Sequence, residues 1–204
     1  MSVHWSVIVP IKTTSLGKSR LEGTGTERPA LALAIALDTV EAAARAERVR
    51  EVIAVTSDTD VQAGVDAIDG ARWIPDPGMG LNGAVRAGLE HAAGDARAAL
   101  LGDLPALTPS DLDAALDAAA RHERAFVSDA ERAGSTLVAW SAPATYEARF
   151  GAGSAQAHAE AGFVPLDVPL ASTVRRDADT LEQLRACADL GLGPRTRALL
   201  AASA

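Results

Sequence analysis

The 204-residue chain is poor in several things that common function classes require. Its one cysteine, Cys187, excludes an intramolecular disulfide framework and a multi-cysteine metal site, and points to a reducing, cytoplasmic compartment. No apolar run approaches the roughly 18 residues that span a bilayer, and the short run at 7–11 lacks the basic flank and cleavage site of a signal peptide. Positive charge is scarce: 19 Lys plus Arg stand against 27 Asp plus Glu, a net charge of −8, which argues against a nucleic-acid or membrane-surface partner. No Ser-His-Asp set, HExxH or CxxC pattern is present, so hydrolytic triads, zinc proteases and thiol redox motifs drop out. Lysine is rarest of the charged residues. Both copies, Lys12 and Lys18, fall in one stretch near the N-terminus, and every other basic residue is arginine.

What the chain does have is 48% apolar residues in short, regularly alternating blocks, enough for one compact domain over 1–204. The buried-strand run at 7–9 hands over at Pro10 to a Ser/Thr/Gly-rich loop, then to a helix over 28–48 with Pro29 in its first turn. Strands are expected at 51–56, 71–74 and 97–101, with helices at 60–68, 83–93 and 109–121 between and after them. The second half predicts strands at 125–128, 135–140 and 164–168 and helical pieces at 142–150, 154–161 and 179–190. The last of these is capped by Asp179 or Thr180 and stopped by Gly191. Such alternation implies an α/β fold whose mostly parallel mixed sheet is covered on both faces. The three Trp are expected in the sheet core, and the four His, at 4, 91, 122 and 158, on solvated surfaces.

In open α/β sheets, ligands sit at the carboxyl ends of strands, so the polar segments after each apolar run are the candidates. After the first strand comes KTTSLGKSRL, where Lys12, Lys18 and Arg20 can meet phosphates as point charges and a bidentate fork, without Walker A spacing. DPGMGLN at 76–82 combines glycines with Asn82, whose amide can read a base or ribose, or else cap the following helix. Asp103, between Gly102 and Pro105 after the strand at 97–101, can hold Mg²⁺, which favours one or two carboxylates plus substrate phosphates. In RRDADT, Asp177 and Asp179 compete for a second metal-ligand role and for the helix cap. Gly134-Ser135-Thr136 and the 149–154 stretch mix hydroxyls with glycines suited to an anion.

In order and wording these segments resemble the phosphoenolpyruvate and 2-phospho-L-lactate guanylyltransferases of deazaflavin coenzyme biosynthesis, a branch of the nucleotide-diphospho-sugar-transferase-like fold. The matching stretches are VPIKTTSLGKSRL, VTSD, DPGMGLNGAVRAG, GDLPAL, GSTL, FGAGSAQAH and RRDADT, which together run from residue 9 to 180. One departure is Gly17, a flexible residue directly before Lys18. The resemblance implies that Lys12, Lys18 and Arg20 hold the GTP triphosphate and that Gly80, Leu81 and Asn82 lie against the nucleoside. It implies Asp103 as a Mg²⁺ ligand with Asp177 or Asp179. The small phosphorylated acid would be met by Thr136, Gly151 and Ser154. Lys12, Lys18 and Asp103 would be the catalytic groups.

The expected reaction transfers GMP from GTP to an acceptor that is already a phosphate anion, so no general base is needed and the lack of a catalytic His or Cys is no obstacle. Phosphoenolpyruvate is the expected acceptor, with 2-phospho-L-lactate and 3-phosphoglycerate as alternatives. Further alternatives are a molybdenum-cofactor or sugar-phosphate nucleotidyltransferase, and a nucleotide-binding regulatory module without turnover. A homodimer is compatible with the sequence and not required by it.

Overall fold

A computed structural model describes residues 3–12, 28–141 and 146–202. The strands are β1 (Trp5–Pro10), β2 (Val49–Val55), β3 (Ala71–Ile74), β4 (Arg97–Leu100), β5 (Arg124–Ser128), β6 (Ser135–Trp140) and β7 (Val164–Pro165). The helices are α1 (Arg28–Ala44), α2 (Thr59–Val65), α3 (Gly80–His91), α4 (Pro109–Ala119), α5 (Ser154–Glu160), α6 (Leu181–Leu190) and α7 (Pro194–Ala202). All seven strands form one sheet in the order β3-β2-β1-β4-β6-β5-β7. It is parallel except at β6, which runs antiparallel to both β4 and β5.

Strand alternation decides which face each residue serves. Val7 and Val9 of β1 join Val52, Ala54, Ala98 and Leu100 in a core under α1, α2 and α4. Ile8 faces the other way and packs with Ile53, Val55, Ala99, Phe126 and Val138 under α3 and α5. The three-layer α/β architecture expected from the sequence is therefore present. Among the described residues, no helix is long and apolar enough to cross a membrane.

Several local expectations are corrected. Residues 146–150 are not helical, and 142–145 lie outside the described residues, so the helix expected at 142–150 is not seen. The strand expected over 164–168 contracts to two paired residues, β7. Trp5 and Trp140 are fully buried, but Trp73 lies at the edge strand β3 with its Nε1 donating to Asp66 at 3.0 Å. Helix α6 begins after Thr180, which forms a capping box with Gln183; the cap is thus Thr180, not Asp179.

Helix α7 has no counterpart in the expectations, because its weak amphipathic pattern carries no periodic signal. It is anchored from outside by Asp38 of α1. The buried carboxylate accepts the N–H groups of Arg195 (3.1 Å) and Thr196 (2.8 Å), two donors of α7's first turn, and also meets the Arg195 guanidinium. Asp38→Ala is expected to cost about 2 kcal/mol, since it removes a cap and strands two N–H groups, while the Arg195 guanidinium keeps its pairing with Glu41. Urea unfolding compared with the wild type checks this, and a change below about 0.5 kcal/mol would show the cap to be dispensable.

Candidate active site

Strand order reverses where β1 has β2 on one side and β4 on the other, and the crevice outside such a switch point is where an open α/β sheet binds ligands. A cavity of about 780 Å³ opens there. Pro10, Ile11 and Lys12 line it from the end of β1, and Leu101, Gly102 and Asp103 from the end of β4. Because β6 is antiparallel, its first residues reach the same rim, so Gly134 and Ser135 join Asp129 from the end of β5. Residues 150–154, Asp177 and Asp179 close the far wall, and α1 adds only the small side chains of Ala32 and Ala36.

The end of β4 approaches β1 so closely that a side chain there would be crowded. A Cβ on Gly102 would stand 3.2 Å from Ile11 Cγ1 and 3.3 Å from the Pro10 carbonyl oxygen. The next residues are tethered through the main chain. Thr39 Oγ1, on α1, accepts the Leu104 N–H at 3.2 Å, and the Asp103 carbonyl accepts the Ala178 N–H at 3.0 Å. That second bond sets Asp103 and Asp177 side by side, although 74 positions apart in sequence they share no motif.

The electrostatics of the wall follow. Asp177 is pushed up to about 7, first by burial and then by the charges of Asp103, Asp129 and Asp179 around it. Its Oδ1 is buried with no hydrogen-bond partner among the described residues. Asp179 also lines the cavity but is exposed. A half-buried, mutually repelling carboxylate pair fits a divalent cation, which would supply the missing positive charge. Among the described residues, no three His, Cys, Asp or Glu side chains form a ready metal cage, so the donors on offer are carboxylates to be completed by other ligands. Asp103 with Asp177 is the pair best placed for this.

Asp129 was not among the sequence candidates. Its carboxylate accepts the N–H groups of Ala133 (2.9 Å) and Gly134 (2.5 Å), and a Cβ on Gly134 would collide with Asp129 Oδ2 at 2.5 Å. A turn aspartate followed by glycine five positions later was the available signal, and it is too common to single out. Arg175 holds the same corner from beneath: its buried guanidinium donates to Ser128 Oγ at 2.9 Å and to the Asp129 carbonyl at 3.2 Å.

Of the other expected residues, Lys12 stands exposed at the cavity, and Lys18 and Arg20 lie outside the described residues. Gly151 and Ser154 line the cavity. Thr136 does not. It is fully buried, its Oγ1 has no hydrogen-bond partner among the described residues, and it is Ser135 that reaches the wall. The cause is a bulge: Val127 pairs with Leu137 but Ser128 with Ser135, so Thr136 is skipped and the side chains before it are re-aimed.

The nucleoside segment also differs. Helix α3 starts at Gly80, three residues before the expected 83, with Met79 as its N-cap residue, so Asn82 is not a cap. Leu81 lines the cavity, whereas Gly80 and Asn82 do not. Both ends of the Asn82 amide are engaged by one residue: Nδ2 donates to the Phe150 carbonyl at 3.0 Å, and Oδ1 accepts the Phe150 N–H at 2.9 Å.

His158 overturns the expectation of a solvated histidine. It is fully buried, ringed by Phe126, Phe150 and Phe163 at centroid distances of 5.4–5.7 Å. Its Nε2 accepts the Arg149 N–H at 2.9 Å, which leaves Nδ1 to carry the proton toward Ser135 Oγ, also at 2.9 Å. Burial lowers its pKa to about 4, so the ring is neutral at physiological pH.

Comparison with known proteins agrees with this geometry. A MobA-like NTP transferase domain matches residues 33–161. The phosphoenolpyruvate guanylyltransferase of Streptomyces scabiei is 43% identical over 98% of this chain and 97% of its own length. That of Thermomonospora curvata is 44% identical over 97% of this chain and 89% of its own. Among solved structures, a nucleotidyl transferase from Methanothermobacter thermautotroptrophicus superposes with a TM-score of 0.59 at 17% identity, covering 92% of this chain and 97% of that one. The 4-diphosphocytidyl-2C-methyl-D-erythritol synthase of Anaerococcus prevotii also gives 0.59, at 13% identity over 93% and 96%. At such identities these structures speak for the fold alone.

Proposed function

Since the chain belongs to the phosphoenolpyruvate guanylyltransferase family of MobA-like NTP transferases, we propose that it transfers GMP from GTP to phosphoenolpyruvate, yielding enolpyruvyl-diphospho-guanosine and pyrophosphate. The observation that carries the reading is one cavity at the switch point, walled by Lys12, by Asp103 beside Asp177, and by the Gly151–Ser154 turn.

A phosphate oxygen of the acceptor attacks the α-phosphorus of GTP. The new P–O bond forms as the bond to the bridging oxygen of the β-phosphate breaks, and pyrophosphate leaves with that electron pair. The nucleophile is already an anion, so no proton has to be removed from it, and no side chain need titrate in the step. Lys12 neutralises charge on the triphosphate, and Lys18 and Arg20 of the following segment are assigned the same task. Gly151 and Ser154, with Ser135 in place of Thr136, face the acceptor. Asp103 and Asp177 would hold Mg²⁺, which when bound offsets charge on the nucleotide and on the departing pyrophosphate. A net charge of −8 makes that cation more necessary, because an anionic donor and an anionic acceptor must both enter a wall of carboxylates.

The test is pyrophosphate release from GTP with Mg²⁺ and, in turn, phosphoenolpyruvate, 2-phospho-L-lactate and 3-phosphoglycerate. Phosphoenolpyruvate is expected to be turned over with a kcat/KM at least about tenfold above the others, and EDTA to abolish release. Preference for another acid would reassign the acceptor. Tight GTP binding without release from any of the three would make the chain a nucleotide-binding module.

A further inference from the structure

The wall at 149–154 begins in a stretch without regular secondary structure, yet two side chains from different elements grip its first two residues. Asn82, in the first turn of α3, takes both backbone groups of Phe150, as a neighbouring β-strand would. His158, on α5, accepts the N–H of Arg149, and its other nitrogen meets Ser135 at the start of β6. The Phe150 ring closes the arrangement by standing edge-on to the His158 ring at 5.4 Å. Directly beyond this double grip, the chain enters Gly151, at φ +137°, and Gly153, at φ +71°, and so turns into the cavity.

We propose that Asn82 and His158 are positioning residues for the acceptor: together they clamp Arg149–Phe150 and so set where Gly151 and Ser154 present their groups to the small phosphorylated acid. The inference rests on the acceptor assignment above for its kinetic consequence, but the clamp itself is a statement about this chain's geometry. It gives Asn82 a different task from the nucleoside contact that the resemblance implies. With one Oδ1 lone pair and one Nδ2 hydrogen engaged by Phe150, half of the amide's hydrogen-bonding capacity is already taken. Because the adjacent Leu81 lines the cavity on the α3 side, Asn82 also ties the 149–154 wall to the start of α3.

The decisive variants are Asn82→Ala and His158→Gln. Asn82 is exposed, so its truncation leaves the core intact, and Gln at 158 retains an oxygen able to accept the Arg149 N–H. For Asn82→Ala, the KM for phosphoenolpyruvate should rise about tenfold or more, while the GTP dissociation constant measured by calorimetry stays within about twofold. Hydrogen exchange at the amides of residues 150–154 should accelerate in the same variant, and His158→Gln should give a smaller change in the same two readouts. A GTP dissociation constant that rises with an unchanged acceptor KM would place Asn82 on the nucleoside and overturn the proposal. So would exchange at 150–154 that matches the wild type. If the wild-type chain turned over no acceptor, the assignment of substrate would fall, and the exchange measurement would still decide the clamp.

Discussion

Asp103→Ala is expected to lower kcat/KM for pyrophosphate release by roughly 10³-fold or more, equivalent to about 4 kcal/mol of transition-state stabilisation, with the fold retained. The size follows from the task assigned to the carboxylate, which is to help hold the cation that offsets the charge of two anionic substrates. The retention follows from the backbone. What tethers this loop is the Asp103 carbonyl to the Ala178 N–H and the Leu104 N–H to Thr39 Oγ1, and neither bond uses the Asp103 side chain. The substitution therefore leaves both tethers in place, and the thermal midpoint should move by only about 2 °C. Asp177→Asn should show a loss of the same order, since it removes the other carboxylate of the pair. Full activity of Asp103→Ala in saturating Mg²⁺ would take Asp103 out of the mechanism.

The second large effect is a pH dependence of stability that the wild type conceals. His158 has a folded pKa of about 4 against an ordinary 6.5, so between those values the unfolded chain binds more protons. Its contribution is complete above pH 6.5 and is lost as the pH falls toward 4, by about 3 kcal/mol in all. Asp177 works the other way over an overlapping range. With a folded pKa near 7 against 3.8, it leaves the native state least stable above pH 7 and favours it progressively as the carboxyl is protonated. The two slopes offset one another in the intact protein. The expected result is therefore read from a comparison. The wild type should exceed His158→Gln in unfolding free energy by about 3 kcal/mol more at pH 7 than at pH 4, because every other titrating group cancels in the difference. Denaturant unfolding of both proteins at the two pH values measures it. A difference independent of pH would mean that His158 titrates in the native state as it does in the unfolded chain, against its burial and the hydrogen bond that its Nε2 accepts from Arg149.

The parts of this protein legible in the sequence are those set by neighbours along the chain. β3 and β6 occupy the expected residues, α4 begins at Pro109 as expected, with Thr108 as its cap, and the Gly-rich segments after the strands do gather at one edge of the sheet. Lys12, Asp103, Gly151 and Ser154 meet at the cavity because each lies just past a strand or just before a helix, where an open sheet puts its ligand groups. The structure departs from the pattern along the chain where a distant partner decides the outcome. His158 has the spacing of a surface residue on a short helix, yet three phenylalanines from separate segments enclose it. Residues 146–150 have helical composition, but the backbone groups of Phe150 pair with the Asn82 side chain instead of with a helix turn.

Composition and order alone narrowed the class of chemistry: an acidic chain with one cysteine and both lysines in one short stretch has cations to set against phosphates, but no cysteine pair and no triad pattern. The tertiary structure decided which residues share the cavity and which stand behind it. It set Asp177 against Asp103, ahead of Asp179, through one backbone hydrogen bond, and brought in Asp129 at the end of β5. It put Ser135 in place of Thr136 at the cavity through a one-residue bulge, and tied the Asn82 side chain to the backbone of Phe150. The reason is physical: pattern along a chain reports on period and propensity, whereas register slips, buried charges and side-chain-to-backbone bonds depend on what lies across the sheet, which only the folded chain supplies.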